Sequence, residues 1–209
     1  MNFFKKIFGS SLLSLSLLTT FSHAQIVYKY MPLATDDSMT VVIPYASTNI
    51  YLPPVDSIAH TFVETTEGKK MRIDRIKYGF VIEGHENQFV ILEIFGNTCP
   101  HCLASIPELN KLKEKYGDKL YILSLEDYGL SNTELKAYKQ SKNIIYDLVA
   151  GEKAGSLRSM IVNLGGALPG VPWTLLLAPN GNQIVDPHFG DVSFDQFDAE
   201  IQNYMSQNQ

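Results

Sequence analysis

The sequence predicts an α/β domain: a mixed central β-sheet flanked by helices, preceded by an N-terminal extension. Three observations predict it. Residues 89–95 and 120–125 are apolar on both faces, as strands inside a parallel or mixed sheet are. Each is followed by a segment with helical spacing of its apolar residues. The chain then closes with a strand, a tight turn and a last helix, which adds antiparallel pairing to the sheet.

The elements are predicted in order. Thr61 to Thr65, a turn at Glu67-Gly68, and Lys70 to Ile73 read as a β-hairpin, with 78–82 as further short structure. The strand at 89–95 leads through Gly96-Asn97-Thr98 into a helix with Cys102, Leu103, Ile106, Leu109 and Leu112 on one face. Lysines 111, 113 and 115 suit its C-terminal dipole, Gly117 stops it, and Pro107 removes the bond to the Leu103 carbonyl and is expected to kink it. After the strand at 120–125, Ser131-Asn132-Thr133-Glu134 has the form of a capping box and opens a helix through about Lys142. Residues 144–149 read as an edge strand, 155–163 as a short helix and 165–170 as a loop. Trp173 to Leu177 is the next strand, Pro179-Asn180-Gly181 the turn, 183–185 the returning strand, and 193 to about 205 the closing helix.

The first 24 residues have the order of an export leader: Lys5 and Lys6, a short apolar run, then small residues before Gln25. The run is broken by Gly9 and several serines and is short for a span of ~20 residues, so cleavage after Ala24 and a periplasmic location are expected. The residue that follows that point is Gln25 and not a cysteine, so a lipid anchor is not. Residues 25–60, broken by Pro32, Pro44, Pro53 and Pro54, read as an N-terminal arm, and 61–209 as the folded domain. The formal net charge is -5, and the leader holds two lysines and no acids, so the exported chain is more acidic still. With no basic stripe, nucleic acid and anionic lipid are not expected partners.

Both cysteines of the chain stand in Cys99-Pro100-His101-Cys102, between the 89–95 strand and the following helix. Cys99 at a helix N-terminus meets free N–H groups and the positive end of the dipole, which favour its thiolate, and Cys102 one turn later can close a disulfide with it. A zinc site would need further ligands at regular spacing, and covalent haem would need His after Cys102, where Leu103 stands. No metal and no cofactor beyond a redox-active Cys99-Cys102 disulfide are therefore expected. Cys99 is read as the exposed nucleophile and Cys102 as the thiol that resolves the mixed disulfide. Glu93 has Ile91 and Phe95 on its own face, so it is expected to be buried, with a raised pKa suited to exchanging a proton with Cys102. An imidazolium at His101 would favour the thiolate and make the couple more oxidising.

These residues resemble the thioredoxin-like superfamily. From about 61 to 209 the chain is similar to the TlpA/ResA/CcmG branch of exported thiol–disulfide oxidoreductases, with Glu93, Cys99-Pro100-His101-Cys102, Pro107, Val171-Pro172 and the Pro179-Asn180-Gly181 turn in the expected order. The resemblance implies a cis Val171-Pro172 bond beside the disulfide, with the backbone of Val171 free to pair with an extended substrate. Trp173, the only tryptophan, is either core filling or, with Val171 and Pro172, a substrate contact. The resemblance also implies protein thiols or disulfides as partners, with a membrane redox protein recharging the site and providing its only membrane contact. Two departures pull in different directions. Pro100-His101 between the cysteines and Val171 before Pro172 are similar to DsbA-type oxidases, and Ser105 stands where some reducing members carry an acid. A reductase, in the manner of the branch that serves cytochrome c maturation, and an oxidase of secreted proteins are the two enzymatic readings. A copper-binding or chaperone module using the two thiols as ligands is the reading from another class.

Overall fold

The structure, a computed structural model, describes residues 59–165 and 168–208. The expected leader, nearly all of the arm, and Gly166-Ala167 of the expected loop lie outside the described residues.

Among the described residues the chain forms two sheets. The first is antiparallel, in the order β1 (His60–Glu64), β2 (Lys70–Ile76), β3 (Gly79–Ile82). The second contains β4 (Phe89–Phe95), β5 (Leu120–Glu126), β6 (Asp147–Ala150), β7 (Trp173–Leu177) and β8 (His188–Phe189), in the order β6-β5-β4-β7-β8. The strand β4 pairs parallel with β5 and antiparallel with β7, so the sheet is mixed and β4 lies at its centre. Parallel neighbours require crossovers. Helix α1 (Pro100–Tyr116) joins β4 to β5, and α2 (Asn132–Ser141) joins β5 to β6. Helix α3 (Leu157–Gly165) precedes β7, and α4 (Phe194–Gln207) closes the chain.

The central strands divide their side chains between two cores, as a period of two demands. Phe89, Ile91 and Phe95 face a core shared with Cys99, Cys102, Ile106 and Leu109 of the α1 segment, Leu135 of α2, and Phe197 and Ile201 of α4. Val90, Leu92 and Ile94 face the other core, filled by Met71, Ile73, Phe80 and Ile82 of the first sheet and Leu157 and Ile161 of α3. The mixed sheet flanked by helices that the sequence predicts is therefore present.

The capping box forms: Ser131 Oγ accepts from Glu134 N–H and Glu134 Oε2 accepts from Ser131 N–H. Helix α1 continues through Pro107 to Tyr116. Three expectations need correction. The strand expected at 183–185 reduces to a bridge between Leu177 and Gln183, and the strand that pairs with β7 is β8. The backbone around Gly181 is shared with the first sheet, Gly181 O accepting from Phe80 N–H and Gln183 N–H donating to Tyr78 O, and Pro187 then interrupts any ladder. Helix α3 starts two residues later than expected because Gly155 adopts φ 53, outside helical space. It also ends at Gly165, inside the expected loop.

Candidate active site

The site is built where β4 ends. Its last residue hands the chain to Gly96-Asn97-Thr98, and Cys99 becomes the N-cap of α1 with φ -71 and ψ 122. Pro100 occupies the first helical turn, where the N–H it lacks would have no helical partner. Cys99 Sγ takes the role usually played by a serine or aspartate oxygen, accepting from Cys102 N–H at 3.4 Å. Cys102 Sγ accepts from Gly96 N–H at 3.4 Å. The two cysteines are free thiols.

Across from them the Val171-Pro172 bond is cis, and Cys99 Sγ donates to Val171 O at 3.5 Å. This contact corrects the expectation of an exposed Cys99: the residue is 8% accessible and Cys102 1%. The reason is that Cys99 is enclosed by its own helix on one side and by the Val171 carbonyl on the other. It remains the more accessible thiol of the pair.

Beneath Cys102 lies Glu93, buried as its neighbours predict. Ser124 faces it from β5 and Thr174 from β7, so three polar residues on adjacent strands form a row on the cysteine side of the sheet. Ser124 Oγ donates to Glu93 Oε2 at 2.6 Å, and Thr174 Oγ1 is buried without a hydrogen-bond partner. Burial pushes the Glu93 carboxyl up to about 7, and the Ser124 bond only partly opposes this. Cys102 is pushed well above an ordinary thiol, first by burial, then by its hydrogen bond with Cys99, and in smaller part by the charges of Cys99 and Glu93. The site thus pairs a thiol that resists ionisation with a carboxyl able to gain or lose a proton near neutrality.

His101 projects outward. Its Nδ1 donates to Asp191 Oδ1 at 2.5 Å, the carboxylate being able only to accept. Asp191 sits on the segment between β8 and α4, which is fastened to both walls of the site. Val192 N–H donates to Ser105 Oγ, Ser105 Oγ donates to His101 O, and Gly190 N–H donates to Pro172 O. Tyr128 covers a third side: a Cβ placed on Gly96 would lie 2.5 Å from its ring. The loop carrying Tyr128 is gathered by the buried Glu126 carboxylate, which accepts from the N–H groups of Tyr128, Gly129 and Leu130.

Cys99, Pro100, His101, Cys102, Glu93, Val171 and Pro172 are brought together as the sequence suggested. Trp173 is not. It is buried in the core on the opposite face of the sheet from the cysteines, so of its two readings the structure shows core filling. Ser124, Thr174, Tyr128 and Asp191 were missed. A lone Ser124 inside an otherwise apolar strand was a readable signal, whereas nothing local marks the other three. Among the described residues no group of three or more His, Cys, Asp or Glu side chains could hold a metal, and no helix is long and apolar enough to cross a membrane.

No protein-family model matches the chain, and no curated protein sequence does either. Solved structures do. The chain is similar to StoA from Bacillus subtilis, at 14% identity and TM-score 0.53, over 69% of this chain and 98% of that one. It is similar to the exposed lipoprotein thioredoxin Etrx1 of Streptococcus pneumoniae, at 17% identity and TM-score 0.52, over 69% and 99% of the two chains. A third is a secreted disulfide oxidoreductase of Mycobacterium tuberculosis, homologous to E. coli DsbE, at 12% identity and TM-score 0.51, over 68% and 95%. At such identities the likeness is one of fold, and the fold is that of thioredoxin.

Proposed function

We propose that the chain is an exported thiol:disulfide oxidoreductase that exchanges a Cys99-Cys102 dithiol for disulfides of other proteins, working in the reducing direction. The observation that carries the reading is the stacked arrangement of Cys99 against the Val171 carbonyl, Cys102 behind it and Glu93 beneath. Cys99, as thiolate, attacks one sulfur of a substrate disulfide and expels the other as a thiolate, leaving a mixed disulfide. The Cys102 proton passes to the Glu93 carboxylate, and the Cys102 thiolate attacks Cys99 Sγ. The Cys99-Cys102 disulfide forms, the second substrate sulfur leaves, and two electrons have moved to the substrate. Val171 and Pro172 present the backbone edge along which an extended substrate segment pairs.

The solved structures of similar fold include proteins named as secreted or exposed thioredoxins and disulfide oxidoreductases, which supports a periplasmic site of action reached through the 1–24 leader. A membrane dithiol donor would return the disulfide to the dithiol, and the cysteine pairs of apocytochrome c before haem attachment are a fitting substrate class. The opposite direction, oxidation of secreted proteins, is favoured by Pro100-His101 between the cysteines and by Val171 before Pro172.

The test is to express Cys102→Ala in cells, trap mixed disulfides and assay the wild type for insulin reduction. Captured partner proteins bonded through Cys99 and wild-type turnover support the reading. Stable Cu(I) binding with neither exchange nor capture would replace it with a binding module.

A further inference from the structure

We infer that Asp191 is a positioning residue that holds down the oxidising strength of the Cys99-Cys102 pair by matching the charge of His101; this rests on the dithiol-exchange reading of the site. A lone imidazolium two residues from Cys99 stabilises its thiolate, hence the reduced form, and a couple with a stabilised reduced form is the stronger oxidant. His101 is not alone here. Its Nδ1 meets Asp191 Oδ1, so when the ring is protonated Cys99 faces an ion pair with no net charge.

The pair is badly placed to stabilise the fold. Its side chains are 69% and 53% exposed, and exposed ion pairs contribute little. The segment is held without it: His188 Nε2 donates to the Asp191 carbonyl, Val192 N–H to Ser105 Oγ, and Gly190 N–H to Pro172 O. Asp191 is thus delivered to His101 by backbone bonds that do not depend on its carboxylate. Charged groups of the neighbouring elements are engaged elsewhere. Glu108 of α1 accepts from Lys111 and from the N–H of Phe194 at the start of α4, and His188 is committed to the Asp191 backbone. The carboxylate of Asp191 is therefore the anion that meets His101 in the structure. It also accounts for how a chain with a histidine between its cysteines can serve as a reductant.

The experiment measures the equilibrium between the protein dithiol plus oxidised glutathione and the protein disulfide plus two reduced glutathiones, on the exported chain at pH 6. Wild type, Asp191→Asn, Asp191→Glu, His101→Ala and the Asp191→Asn/His101→Ala double variant are compared. Removing one charge near Cys99 at partly solvated distances is expected to shift the equilibrium toward the dithiol by about three- to tenfold at pH 6. The shift is largely absent in the His101→Ala background and is mostly rescued by Asp191→Glu. The thermal midpoint of Asp191→Asn stays that of wild type. No shift, a shift toward the disulfide, or an equal shift without His101 would overturn the inference while leaving the exchange reading intact. A wild-type Cys99-Cys102 pair that does not respond to glutathione at all would overturn both.

Discussion

Ser124 Oγ donates to Glu93 Oε2 at 2.6 Å from the directly facing position of the neighbouring strand. One hydroxyl thus stands against the full desolvation of a carboxyl in the middle of the sheet. Desolvation wins, and the carboxyl rests at about 7 instead of the ordinary 4.5.

Stability should record this directly. A carboxyl whose pKa rises on folding contributes stability that is fully present below its unfolded value and is lost as pH climbs through the folded one. Between pH 4.5 and 8, Glu93 is expected to withdraw about 3 kcal/mol. The lowered His85 gives a slope of opposite sign, and Cys102 titrates above this range. The quantity to measure is therefore the difference in denaturant stability between wild type and Glu93→Gln, which should grow in favour of the variant as pH rises. A flat difference would remove the buried, titrating carboxyl.

Ser124→Ala removes the bond that favours the charged carboxyl. The Glu93 titration should move up by about one unit, the worth of a charge-assisted hydrogen bond. Resolution of a Cys99 mixed disulfide by Cys102, followed by stopped-flow, should then have its pH midpoint displaced upward by the same amount.

Gly79 packs against backbone, not against a side chain that can swing away. A Cβ there would stand 2.0 Å from the Gly181 carbonyl oxygen. Gly79→Ala should therefore cost about 3 kcal/mol or more in chemical denaturation, because the contact between β3 and the turn after β7 must open.

Gly96→Ala meets the same distance problem with a different answer. The obstructing atoms are the outer ring carbons of Tyr128, a residue 56% exposed. The ring can move into solvent, so stability should fall by no more than about 1 kcal/mol. Alkylation of the reduced protein should instead accelerate several-fold at Cys102, and Tyr128→Ala should accelerate it likewise. Peptide mapping of the labelled thiol distinguishes Cys102 from Cys99.

Much of this architecture was legible because its signals are local. The run at 89–95 is apolar at consecutive positions, Ser131 and Glu134 stand at capping-box spacing, and Glu93 is flanked on its own face by Ile91 and Phe95. Each of these depends on neighbours within a few residues. What escaped depends on pairing at a distance. His101 and Asp191 are 90 positions apart, and no periodicity announces that they meet. The face that Trp173 takes follows from the register of β7 against β4, which sets Thr174 opposite Glu93 and so turns its neighbour away from the cysteines. The returning strand moved from 183–185 to β8 because backbone groups near the turn were claimed by β3, a competitor far off in the chain.

The Cys99 thiol and the Val171 carbonyl also answer one another across the redox cycle. A dithiol has an S–H to donate, and here it is spent on Val171 O. A disulfide has none. On the proposed reading, loss of that S–H, by ionisation to the attacking thiolate or by oxidation to the disulfide, frees the acceptor at the edge where an extended chain would lie. On that reading, the grip offered to a passing peptide follows the proton on a single sulfur.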